Sequence, residues 1–188
     1  RYLQKAAKLI MEEFDGSFPR EPELVRSLPG IGAYTAGAIC SICFGFPIPA
    51  VDGNVLRVCS RLTASREDVS LVPNKRAIAD ALLPCFPAKD YGNFNQALME
   101  LGATICIPGG EPRCGACPLA SICLSRPDEL WREIPVLSLK KARQREEIAV
   151  FLLRHADRFA LQKRPGTGLL AGLWEYPSLT GLLTPQQA

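Results

Sequence analysis

The chain has 188 residues, 47% of them apolar and 22% charged, with a formal net charge of +3 and an isoelectric point near 8.5. That is enough apolar material for one good core, or for one domain and part of another. The mild basicity permits an anionic partner without requiring one, and no apolar run of about 18 residues is present, which excludes a transmembrane helix.

In chain order, the opening "RYLQKAAKLIMEEF" has apolar residues at helical spacing (Leu3, Ala6, Ala7, Ile10, Met11, Phe14) and is charged, which predicts an amphipathic helix over 2–14 and not a signal peptide. Gly16 and Pro19 end it. "EPELVRSL" predicts a short helix opened by Pro22. The turn "PGIG" follows, then a helix over 34–44 closed by Gly45. Asp52 stands as the N-cap of a helix beginning "GNVLRV". Two more helical patterns cover 73–83 and 93–105, and loops with short turns carry a group of cysteines. After Arg126 the chain turns polar and proline-bearing, so 126–146 is expected to be a linker. "IAVFLLRHADRFALQKRP" then predicts two strands joined at "HADR". The reading is mainly α to about 125, followed from 147 by the start of a mixed α/β domain. The first residue is not Met, and the chain stops at "TPQQA" soon after an aromatic-rich segment. Both ends therefore read as cut, and a fragment is expected.

Four features bear on chemistry, the last of them the group of cysteines. In "LPGIGAYTAGA" the glycines at 30 and 32 allow a sharp bend and clear side chains from its outer face. Such a turn serves as a plain packing hairpin. It also serves to bring the amides of the next helix close to a phosphate, with Pro29, Gly30, Ile31 and Gly32 as the contact segment. Asp52 caps its helix, and a carboxylate fixed by capping amides stays ionised and in place, which suits it to stabilise positive charge developing beside it. Gln96 and Glu100 lie four apart and share one helix face, with Leu98, Leu101 and Ile105 on the other.

Eight cysteines are many for a reducing compartment. Cys106, Cys114, Cys117 and Cys123 crowd into eighteen residues, which asks for a metal before disulfides. A single C-x-x-C with unequal arms is unlike the paired elements of most zinc sites. Four thiolates in so short a loop suit a [4Fe–4S] cluster, each iron taking one cysteine. Arg113, inside the loop, is placed to meet phosphate. Cys40 and Cys43 form a second C-x-x-C, read as buried core thiols because they lie in mid-helix.

"LPGIG", "PAVDGNVLRV", "FNQALMELGATIC" and the cysteine spacing together resemble the endonuclease III superfamily of helix–hairpin–helix DNA glycosylases, and within it the MutY-type adenine DNA glycosylases. The resemblance covers residues 1 to about 125. The cysteine spacing departs from the family's C-x6-C-x2-C-x5-C by one residue in its first arm, where "IPGGEPR" is lengthened. The resemblance implies that Asp52 is catalytic and that Tyr34 helps to position or stabilise the transition state. Endonuclease III carries a lysine at the position of Tyr34, and a tyrosine cannot form the Schiff base of a lyase, so a monofunctional enzyme is implied. Glu100 would bind the polar edge of a flipped adenine, with Gln96 beside the pocket. The acid that protonates the base is, in the family, a glutamate ahead of this segment, so the chain alone is expected to be inactive. "LLRHADRFALQKRPGTGLLAGLWEYPSL" resembles the opening of a Nudix-like domain that recognises 8-oxoguanine, with Leu173 and Trp174 expected to pack on its sheet. Implied partners are duplex DNA with A:8-oxoguanine or A:G mispairs, bound by a monomer with no membrane. The implied location is the cytoplasm (nucleoid) in a bacterium, or the nucleus or mitochondrion in a eukaryote. The alternatives are an endonuclease III-like glycosylase/lyase and a noncatalytic iron–sulfur DNA-binding module.

Overall fold

The computed structural model describes residues 1–138, 142 and 145–182. The chain divides into two units, Arg1–Leu139 and Lys140–Ala188. The first is helical: α1 (Tyr2–Glu13), α2 (Pro22–Ser27), α3 (Ala33–Phe44), α4 (Gly53–Leu62), α5 (Val72–Leu82) and α6 (Tyr91–Glu100). The second contains three two-stranded antiparallel ladders: β1 (Ile148–Val150) with β6 (Ser178–Thr180), β2 (Arg154–His155) with β3 (Arg158–Phe159), and β4 (Gln162–Lys163) with β5 (Trp174–Glu175). The hairpin expected at "HADR" is β2–β3.

Helices α3 and α4 carry most of the buried residues of the first unit. Val25, Ala36 and Cys40 form a buried cluster, with Ile31, Ile39, Phe44, Phe46 and Ile48 packed against it. Two glycines let backbones approach. A Cβ on Gly37 would stand 2.3 Å from the carbonyl oxygen of Pro49, and one on Gly92 would stand 2.8 Å from the Cα of Ile42. The segment ahead of Asp52 and the start of α6 therefore both lie directly on α3. At the other end, the Tyr34 hydroxyl meets the sulfur of Met99 at 3.7 Å, so α6 runs antiparallel to α3.

At the hairpin, the Ile31 amide donates to Leu28 O at 3.1 Å, and Gly30 takes φ +86°, a conformation that costs other residues about 1–3 kcal/mol. A Cβ there would also lie 2.7 Å from the Tyr2 Cβ. Gly30→Ala is expected to destabilise the first unit by about 1–3 kcal/mol, read as a lower urea midpoint with unchanged slope.

The α-helix expected over 93–105 is shorter. It ends at Glu100 and continues as a π-type turn over Leu101–Ile105. The cause is local: Gly102 is packed on Asn54, and its carbonyl accepts from the Arg57 guanidinium at 2.6 Å, so the wider turn meets α4.

Residues 126–138, expected to be linker, fold onto the first unit. Ile134 is 1% exposed, the Val69 amide donates to Val136 O at 3.1 Å, and the Arg61 guanidinium binds the carbonyls of Ile134 and Trp131 at 2.8 and 3.0 Å. Ile134, with half-buried Trp131 and Val136 between the charges of "ELWREIPVL", supplies the packing. Beside them, Asp68 accepts from the Ser138 hydroxyl and from the Ser70 hydroxyl and amide. These hydrogen bonds hold its carboxyl at about 2, against an ordinary 3.8. A depressed folded-state pKa means that this stabilisation is complete above the ordinary value and is lost as pH falls through about 2. Exchange protection of the Val69 amide, corrected for intrinsic rate, should fall over that window and stay level at neutral pH.

In the second unit Leu173 and Trp174 are more than half exposed, contrary to the expectation that they pack on a sheet. Two-stranded ladders offer no covered face for them.

Candidate catalytic centre and cysteine cavity

Asp52 sits at the junction of the 45–52 segment and α4. Its Oδ1 accepts from the Val55 amide and its Oδ2 from the Asn54 side-chain amide, both at 2.8 Å. The carboxylate is thus gripped at both oxygens. Asn54 is fixed in turn, since its Oδ1 accepts from Arg57 at 2.8 Å. The Arg57 guanidinium also donates to the carbonyls of Cys106 and Gly102 at 2.7 and 2.6 Å. Burial lowers the Arg57 pKa, Cys106 opposes that, Arg61 adds to it and Asp52 opposes it. A line of hydrogen bonds therefore connects Asp52 to the backbone of the first cysteine of the group.

From the other side, Asn95 of α6 fixes the same segment. It is 1% exposed, accepts from the Ala50 amide at 3.0 Å, and donates to the Ser41 hydroxyl and Ile48 O at 2.8 and 2.9 Å. Sequence reading assigned roles to Gln96 and Glu100 but missed this neighbour. The available signal was an amide on the apolar side of an otherwise amphipathic helix, where it needs partners.

Tyr34 opens α3 and is 43% exposed, touching Met99, the residue before Glu100. Glu100 is itself exposed. Gln96 is exposed too, and it lines a shallow pocket with Ser41, Ile42, Gly45 and Tyr91. So α6 joins Tyr34 to the Glu100 end, while Gln96 faces the opposite end of α3. At the hairpin, Gly30 and Gly32 are exposed and Pro29 is half-buried. Ile31 packs inward against the α3 cluster, leaving the outer face to backbone. Gly32 is the N-cap of α3 and supplies no side-chain cap.

Cys106, Cys114, Cys117 and Cys123 all line one cavity, with Ile105, Pro112, Ala120 and Trp131 as apolar wall. Burial raises the Cys114 thiol, followed by Cys123, Cys106 and Cys117, with Arg126 opposing, which places all four within electrostatic reach. Among the described residues no three Cys, His, Asp or Glu side chains converge on one metal-ion position. Arg61 adjoins two of the cysteines: its guanidinium lies 3.4 Å from Cys106 Sγ, and its carbonyl accepts from the Cys123 thiol at 3.6 Å. Arg113 is exposed next to Cys114. Of the second C-x-x-C, Cys40 is buried as expected, but Cys43 is exposed, because three residues of helix carry it past the edge of the buried stripe. Half-buried Cys59 is pushed up to about 11 by desolvation and then by Cys85, which keeps it a thiol.

Gly102 couples the two parts. A Cβ there would stand 2.6 Å from the Asn54 Cβ and 3.0 Å from its Cα. Gly102→Ala is expected to cost about 1–3 kcal/mol and to displace Asn54 from Asp52, visible as chemical-shift changes at Asn54 and Val55.

No family model matches the chain. Curated relatives do. An adenine DNA glycosylase of Arabidopsis thaliana is 39% identical over 95% of this chain and 30% of its own length. That of Homo sapiens is 36% identical over 96% and 41%, and that of Buchnera aphidicola from Acyrthosiphon pisum is 30% identical over 93% and 50%. The chain thus spans at most half the length of these relatives. Among solved structures, a thermostable thymine-DNA glycosylase matches with TM-score 0.59 and 29% identity, over 66% of this chain and 57% of its own. A non-covalent endonuclease III–DNA complex matches with TM-score 0.59 and 28% identity, over 69% and 58%.

Proposed function

Taking as premise that this chain is a homologue of the adenine DNA glycosylases across nearly its whole length, we propose that the full-length protein is a base-excision repair enzyme. It would hydrolyse the N-glycosidic bond of adenine mispaired with 8-oxoguanine or guanine. The observation that carries this reading is the doubly gripped Asp52 carboxylate, which needs no reorganisation to stabilise cationic character on a sugar.

The described residues support a division of roles. The hairpin backbone at 29–32, with Arg113, holds phosphates and positions the duplex. Adenine leaves the stack, and Glu100, at the Tyr34 end of α3, binds its polar edge, while Gln96 lies in the pocket at the other end and takes no part in it. Asp52 stabilises the sugar as the base departs. Tyr34 positions the site and offers no amine, so no Schiff base forms and the strand is not cut by elimination. No residue of this chain is assigned the acid that protonates adenine. The second unit is read as the start of a Nudix-like domain that recognises 8-oxoguanine.

The cysteine cavity fits a [4Fe–4S] cluster. Four thiols line one chamber, and a cubane takes one cysteine per iron. Held by Cys106, Cys114, Cys117 and Cys123, the group would cross-link the loop that carries Arg113. Borohydride trapping on an A:8-oxoguanine duplex tests the reaction type: the full-length protein should give no covalent adduct, and a trapped adduct would favour the glycosylase/lyase reading.

A further inference from the structure

Ser125 is the odd residue of the cysteine cavity. It lines the chamber together with all four cysteines and is 1% exposed. Its backbone is satisfied on both sides: the amide donates to Arg61 O at 3.2 Å, and the carbonyl accepts from the Leu130 amide at 3.0 Å. Its hydroxyl alone has no hydrogen-bond partner among the described residues. A buried hydroxyl left unpaired is costly and is seldom retained without a partner. Besides Arg61 and Arg126, the rest of the lining, Ile105, Pro112, Ala120 and Trp131, is apolar.

The Arg61 main chain sets the position. The same carbonyl that takes the Ser125 amide lies 3.6 Å from Cys123 Sγ, so serine and cysteine are held beside one atom at the end of α4. On the far side the Arg61 guanidinium stands 3.4 Å from Cys106 Sγ. The cavity thus has charged donors, Arg61 at Cys106 and Arg126 toward Cys114, and an unused neutral donor, Ser125, two residues from Cys123.

We propose that the Ser125 hydroxyl donates a hydrogen bond to a sulfur of the iron–sulfur cluster, a thiolate or a bridging sulfide, and so sets its reduction potential. The inference rests on the cluster reading above. Donors to cluster sulfurs favour the more negative, reduced state, so Ser125 raises the potential.

The test uses the anaerobically purified chain and its Ser125→Ala and Ser125→Thr variants. Iron and sulfide content comes first, then the potential by film voltammetry and the D2O-induced shift of the iron–sulfur stretching bands. Ser125→Ala should keep about four irons with a lower potential. At the wild-type midpoint its ratio of reduced to oxidised cluster should fall about three- to tenfold, the worth of one hydrogen bond, and the deuterium shift should shrink. Ser125→Thr, which restores the hydroxyl, should recover both. A fully loaded Ser125→Ala with unchanged potential and deuterium shift overturns the proposal while leaving the cluster reading intact. Loss of iron from both variants also overturns it, because packing and not the hydroxyl would then be what the cluster needs. Zinc or no iron in the wild type removes the cluster reading itself.

Discussion

Asp52→Asn is expected to slow single-turnover adenine release by the full-length protein by about 10²–10³-fold, the scale for losing one preorganised electrostatic group, while the protein stays folded. Asparagine is as good an N-cap as aspartate, so the hydrogen bond from the Val55 amide at 2.8 Å survives the change. What is lost is the negative charge and the bond from the Asn54 amide, the latter worth about 1 kcal/mol. The substitution therefore separates Asp52 the cap from Asp52 the charge. A rate within tenfold of wild type, with a matching circular dichroism spectrum, would leave Asp52 as a cap only. The opposite control is Asp52→Ala, which loses cap and charge together and should show a lower melting temperature as well.

Arg61→Leu is expected to have the largest effect on stability, about 3–5 kcal/mol out of the 5–15 kcal/mol typical of a domain. Arg61 is buried, and its guanidinium binds the carbonyls of Ile134, Ile107 and Trp131 at 2.8, 3.0 and 3.0 Å. Leucine fills part of the volume but leaves these carbonyls without their donor, at about 1–3 kcal/mol for each that stays buried. The loss also frees the 126–138 segment from α4 and removes the donor beside Cys106. Denaturant titration should show the drop, and proteolysis should begin cutting near Trp131. An unchanged midpoint would mean that the segment is held by Ile134 and Val136 alone.

The residues that sequence reading located, and those it missed, differ for a physical reason. Asp52 was legible because an N-cap is a local event: a carboxylate, a Gly and the start of an apolar helix within four residues. The hairpin glycines and the Gly45 stop were legible for the same reason, and Gly45 does take φ +70°. The bounds of α1 to α5 followed from periodicity and caps. Arg57, Arg61 and Asn95 were missed because their roles lie in long-range partners. Arg57 reaches Cys106 and Arg61 reaches Ile134, and nothing near them in sequence announces either. Two arginines four apart inside "VLRVCSRL" were a signal that went unused: on a buried helix face, charges at that spacing require acceptors. The linker was misjudged on the same ground. Its polar composition is real, but the acceptors it offers to Arg61 are main-chain carbonyls, which composition does not display.

The measurement that tests the account most directly is the identity of the base that the full-length protein releases from a set of duplexes carrying A:8-oxoguanine, A:G, A:T and oxidised pyrimidines. The account predicts free adenine from the first two, an intact abasic strand until alkali is added, and loss of release in Asp52→Asn. Release of oxidised pyrimidine with strand cleavage, or no release of any base by an iron-loaded, DNA-bound protein, would contradict it.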